Sequence, residues 1–161
     1  MSEQYDRDAH PYDRPKQSPE QQLRSLKIIW AAMLASPCMA LGVFHFIRSS
    51  SPQPMANESM FPLVVIACVM AFVMPITGRF VAKAVVNGAR SQNPVPHPAQ
   101  VFMTSTIIAV ALCEGPALLA AVAYFITGNR LALVGFAIAI GALITLRPTD
   151  ERYASVQTAL S

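Results

Sequence analysis

Charge is what this sequence has least of. Asp, Glu, Lys and Arg make up 13% of its 161 residues against 53% hydrophobic ones, a balance that excludes an ordinary soluble domain of this size and makes the bilayer the natural solvent. Of the nine acidic residues only Glu114 lies inside a long apolar run, the distribution expected when ionisable groups at bilayer depth are costly. The three cysteines, Cys38, Cys68 and Cys113, each lie in an apolar run, with no CxxC pair and no histidine at ligand spacing; this excludes a disulfide framework and a zinc site. A nucleophile-base pair and a nucleotide loop are also missing, so the chain is expected to be no enzyme and to carry no cofactor. The pI near 9.0 reflects basic residues flanking the apolar runs, which point to topology and not to nucleic acid.

Residues 1–25 contain no glycine, few aliphatic residues and prolines at 11, 15 and 19, too little apolar surface to offset the entropy of ordering, and are expected to form a disordered tail. Tyr5-Asp6-Arg7 recurs in it as Tyr12-Asp13-Arg14. The first apolar run, Leu26 to Ile47, is long enough to cross a hydrocarbon core of about 30 Å as a helix. Its segment Leu34 to Cys38 resembles a lipoprotein cleavage box, but Pro37 directly before Cys38 and the continuing apolar run argue against cleavage. After a polar connection around 49–57, a second helix is expected from Phe61, with Pro62 in its first turn, to about Ile76, continuing to a stop at Gly88. Arg79 and Lys83 sit one turn apart there, able to snorkel toward headgroups.

Prolines 94, 96 and 98 mark an extended linker over 93–100, with His97 a solvated loop residue. A third helix spans Val101 to Thr127, and a fourth spans Leu131 to Leu146 before Pro148; Thr127-Gly128-Asn129-Arg130 between them imposes an antiparallel hairpin. Residues 149–161 form a C-terminal tail. Ten Lys and Arg residues fall on the side of the two termini and the middle connection and two, Arg48 and Arg130, on the other. The positive-inside rule therefore predicts cytoplasmic termini.

A shift of 79 positions aligns the first helix with the third at seven identities, among them Ile28 with Ile107, Pro37 with Pro116 and Phe46 with Phe125. The expected fold is therefore an all-α membrane protein: four transmembrane helices as two tandem hairpins of the same orientation, 26–92 and 101–148. Pro37, Pro75 and Pro116 each remove a backbone donor and release a carbonyl four residues earlier, so they are expected helix kinks. The freed groups must find partners inside the bundle.

Glu114 stands at the midpoint of 101–127, among Ile107, Val110, Ala111, Ala117, Leu118 and Ala121 at helical spacing. It is the one candidate for ion binding, with a structural hydrogen bond to the carbonyl of Ala71 or Met33 as the competing role. His45 and Tyr124, equivalent under the 79-residue shift, read as interfacial anchors. Gly135 with Ala139 and Ala137 with Gly141 are candidate helix-packing positions, since small residues let helices approach closely.

A lone carboxyl in Ala111-Leu112-Cys113-Glu114-Gly115-Pro116-Ala117-Leu118 within two fused hairpins resembles the proteolipid (subunit c) family of rotary ATPases, in which the membrane carboxylate binds the translocated proton or sodium ion. That family carries the carboxyl on the second helix of its hairpin and a glycine-rich first helix, whereas here Glu114 is on the first helix and the glycine repeat is absent. The segment is also similar to uncharacterised bacterial four-helix membrane proteins with a Glu-Gly-Pro motif, which places the expected location in a bacterial inner membrane. The favoured expectation is a non-enzymatic structural or assembly component whose partners are the lipid bilayer and other membrane proteins or further copies of itself. The alternatives are a proton- or ion-handling subunit using Glu114, or a small cation/proton transporter.

Overall fold

The computed structural model describes residues 18–50 and 60–160, and they form five helices: α1 (Pro19–Ser50), α2 (Phe61–Arg90), α3 (Pro98–Thr127), α4 (Leu131–Thr145) and α5 (Asp150–Leu160). No strand occurs among the described residues. Of the expected tail, residues 1–17 with both Tyr-Asp-Arg triplets lie outside the described residues, as do 51–59 of the first connection. Helices α1, α2 and α3 are each long and apolar enough to cross a membrane, and a fourth crossing is reached if α4 and α5, bent by 64°, count as one.

The helix ends follow from local chemistry. Helix α1 begins seven residues before the expected Leu26, because Ser18-Pro19-Glu20-Gln21 is a capping box. The Gln21 N–H donates to Ser18 Oγ and the Ser18 N–H to Gln21 Oε1, both at 3.3 Å, with Pro19 at the first helical position. Helix α2 runs past the expected stop at Gly88 to Arg90, where the Ser91 hydroxyl donates to the Gly88 carbonyl at 2.9 Å. Helix α3 starts inside the expected linker. His97 is its N-cap, with Nδ1 accepting the Ala99 N–H at 3.3 Å, and Pro98 opens the first turn. Gly128 ends it in the left-handed region at φ 66°, its N–H donating to the Tyr124 carbonyl at 2.8 Å. The expected C-terminal tail is instead helix α5, started by Thr149, whose Oγ1 accepts the Arg152 N–H at 3.4 Å, with Asp150 and Glu151 in the first turn.

Helix α3 is the centre of the bundle and contacts all four other helices. Its packed face is rich in alanine: Ala109, Ala117, Ala120, Ala121 and Ala123 are buried. At mid-height Ala71, Ala117 and Ala139, one from each of α2, α3 and α4, meet in a fully buried cluster. Below it Ala109, Val110 and Cys113 pack against Leu143 and Leu146, with Trp30 and Met33 of α1 beside them. Above it Val64, Ala67, Ala120, Ala123 and Ala132 form the other end of the core. Gly78 lies against the backbone of α3, so that a Cβ there would be 3.3 Å from the Ala109 carbonyl oxygen. Helices α1 and α3 run in the same direction, Leu26 lying near Ala99 and Phe102 and His45 bonding Tyr124. Helices α2 and α4 also run together, with Gly135 against Cys68 and Arg79 bonding Thr145. Helix α5 turns across the lower end, where Tyr153 meets the edge of Phe102 at a ring-centroid distance of 5.6 Å.

Among the candidate packing positions the structure divides two pairs. Gly135 and Ala139 are buried, whereas Ala137 and Gly141 are exposed. A Cβ on Gly135 would stand 3.3 Å from both the Cα and the Sγ of Cys68, while one on Gly141 would meet nothing within 4 Å. Overpacking a fixed backbone contact costs about 1–3 kcal/mol. Gly135→Val is therefore expected to lower stability by about 2 kcal/mol and Gly141→Val to leave it within about 0.5 kcal/mol, checked by unfolding the detergent-solubilised protein under circular dichroism.

Candidate functional site

Glu114 lies between the buried Cys113 and the exposed Gly115 and is itself half-buried. One turn away, Val110 and Ala117 are buried while Ala111 is exposed, so the carboxyl stands at the rim of the packed face of α3. Among the described residues it makes no hydrogen bond or ion pair, and the carbonyls of Ala71 and Met33 do not receive one from it. No group of three or more His, Cys, Asp or Glu side chains that could hold a metal ion converges among the described residues, so Glu114 would meet a proton or cation as a single carboxyl.

The three helix-interior prolines lie in α1, α2 and α3, each of which continues through its proline. Pro37 is fully buried and Pro116 buried, while Pro75 is half-buried.

The best-defined polar cluster lies at the upper end of the bundle. His45 Nδ1 and the Tyr124 hydroxyl are 3.0 Å apart, and Phe44 stacks on Phe125 at 4.9 Å. Arg48 places its guanidinium 5.9 Å from the centre of the Tyr124 ring and donates from Nη1 to the Phe125 carbonyl at 2.9 Å. That carbonyl is in the last turn of α3, where the helix leaves acceptors unpaired and its dipole favours a cation. Gly128 is favoured beneath it by its positive φ, and any Cβ there would also displace the Arg48 guanidinium from this position. The sequence placed His45 and Tyr124 at equivalent interfacial sites, and the structure joins them to each other. The signal for that contact was the 79-residue shift, because parallel neighbouring helices bring shifted equivalents side by side. The role of Arg48 had no such signal and was hidden among residues read only for topology.

Compared with models of known families, with curated proteins and with solved structures, the chain matches none.

Arg48→Met keeps an apolar stem but removes the donor, and is expected to cost about 1–2 kcal/mol, the range for a cation on a partly buried helix C-terminus. Tyr124→Phe is expected to cost about 1 kcal/mol. In a double-mutant cycle with His45→Phe, that loss should disappear, as measured by thermal unfolding of the purified protein.

Proposed function

We propose that the chain is a multi-pass protein of a bacterial inner membrane, with both termini in the cytoplasm, that serves as a non-enzymatic structural or assembly component. The observation that carries this reading is the division of α4 into two small-residue faces. Gly135 and Ala139 are used within the chain, and Ala137 and Gly141 are left facing outward with open space at Gly141. Lipid gives no hydrophobic drive for helix association, so lateral assembly depends on close backbone approach, which an outward small pair four residues apart permits. The partner is a helix of another membrane protein or of a second copy.

The segregation of ten cations to one side supports the topology. The two parallel helix pairs, α1 with α3 and α2 with α4, support two tandem hairpins of one orientation. Helix α4 has 15 residues, a rise of about 22 Å against a core of about 30 Å. Local thinning of the bilayer and snorkelling by the flanking Arg130 and Arg147 make up the difference.

A second reading, proton or ion handling, is favoured by one observation: the Glu114 carboxyl at the middle of α3 has no protein partner among the described residues, leaving it available to a proton or cation. Two variants separate the readings. Ala137→Leu with Gly141→Leu is expected to shift the protein to a smaller species in native electrophoresis of solubilised membranes, with Glu114→Gln migrating as the unaltered chain. The reverse pattern, together with carbodiimide labelling of Glu114 that sodium suppresses, would favour ion handling.

A further inference from the structure

At the lower end of the bundle α2, α3 and α5 line an open cavity of about 450 Å³. Three cations line it: Arg79 and Lys83 from α2 and Arg152 from α5. Among the described residues no Asp or Glu is in its lining, and the one side-chain bond made by these cations is from Arg79 Nη2 to Thr145 Oγ1 at 3.3 Å. None of the three forms an ion pair with a described residue. Of the two acids in the first turn of α5, Asp150 and Glu151, neither lines the cavity, and Asp150 stands 3.9 Å from Lys27 of α1.

Three cations facing one space with no counter-ion among the described residues repel one another. Partial burial and, second to it, the like charge of Arg79 lower the pKa of Arg152 from its ordinary value. The remaining wall supplies hydroxyl and amide groups from Ser105, Thr106 and Asn87, over an apolar floor that includes Phe102 and Leu146. Ser105 and Thr106 are buried on α3. Ser105 spends its hydroxyl proton on the Phe102 carbonyl at 3.0 Å, which leaves its oxygen as an acceptor. The cavity thus presents fixed positive charge, hydrogen-bonding groups and an apolar base at the level where the apolar run of α2 gives way to basic residues, the depth of lipid phosphates.

We propose that the cavity between α2, α3 and α5 binds a phosphate-bearing anion, held by Arg79, Lys83 and Arg152. Arg supplies bidentate donors to phosphate oxygens and Lys a mobile point charge. The anion is the headgroup of an anionic phospholipid, whose chains would leave along the apolar floor, or a free phosphate compound entering from the aqueous side. This site is separate from the outward face of α4 and from Glu114.

The test uses the purified full chain in a neutral detergent, with bound adducts quantified by native mass spectrometry after addition of dioleoylphosphatidylglycerol, dioleoylphosphatidylcholine or inorganic phosphate. At least one of the two anions is expected to be retained in preference to phosphatidylcholine. Arg79→Gln with Arg152→Gln should weaken that retention at least about tenfold. Arg90→Gln with Arg147→Gln, an equal loss of charge outside the cavity lining, should leave it within about twofold. Phosphatidylglycerol binding that inorganic phosphate does not displace identifies a lipid headgroup; phosphate binding without a phosphatidylglycerol preference identifies a free anion. Should the double variant not fold, Lys83→Gln, at an exposed side chain, is expected to weaken retention at least about threefold. No anion preferred over phosphatidylcholine, or equal retention by the cavity variants and the control pair, overturns the proposal.

Discussion

A carbonyl in the last turn of a helix has no partner in its own helix, and in a bilayer it has none in the solvent. Much of this structure answers that constraint. Two of the long-range hydrogen bonds of helix α1 go to carbonyls in the last turn of another helix. Arg48 donates to the Phe125 carbonyl at the end of α3, and Trp30 Nε1 donates at 2.9 Å to the Leu143 carbonyl at the end of α4, which also accepts the Leu146 N–H at 3.1 Å. The α3–α4 turn meets the complementary need of unpaired N–H groups, with Asn129 Oδ1 accepting the Leu131 N–H at 2.9 Å and Thr127 Oγ1 accepting the Asn129 N–H at 3.1 Å.

Between those fixed ends the helices are held by closeness. Apolar side chains facing lipid gain little by turning inward, so association rests on dispersion and on backbones that can approach. The alanine face of α3 permits this on several sides at once, against Ala71 and Gly78 of α2 and Ala139 of α4. Helix α1, which meets α3 through larger residues such as Leu26, Trp30 and Pro37, keeps much of its surface exposed. The position of Glu114 follows from the same geometry. A carboxyl at the centre of the alanine face would hold α2 and α4 apart, and the side chain stands instead at its rim.

The apolar runs of the sequence located α1 to α4, since a bilayer demands long uninterrupted segments, and Pro62, Gly128 and Pro148 marked boundaries that the structure keeps. The 79-residue shift carried information about contact, through His45 and Tyr124. Two helical signals are masked by the polar composition around them. Ser18-Pro19-Glu20-Gln21 is a capping box, and Tyr153, Val156 and Leu160 recur at helical spacing after Thr149. What could not be read was the rotation of each helix about its axis. Ala137 and Ala139 look alike in sequence, and only packing turns one outward and the other inward. For the same reason Arg79, Lys83 and Arg152 were legible as topology markers but not as the lining of one cavity, because two belong to α2 and the third to a helix that composition did not announce.

Helix α4 must return the chain to the side where α3 begins for α5 and Arg152 to lie beside Arg79. Single cysteines at Ser91, Asn129 and Ser155, introduced after replacement of Cys38, Cys68 and Cys113, report this directly through a membrane-impermeant maleimide applied to intact cells and to inverted vesicles. Labelling of Asn129→Cys from outside, with Ser91→Cys and Ser155→Cys labelled only in inverted vesicles, is the predicted result. Labelling of Ser155→Cys from the same side as Asn129→Cys would contradict the account, because α4 would then not cross and the cavity between α2, α3 and α5 would not form in the membrane.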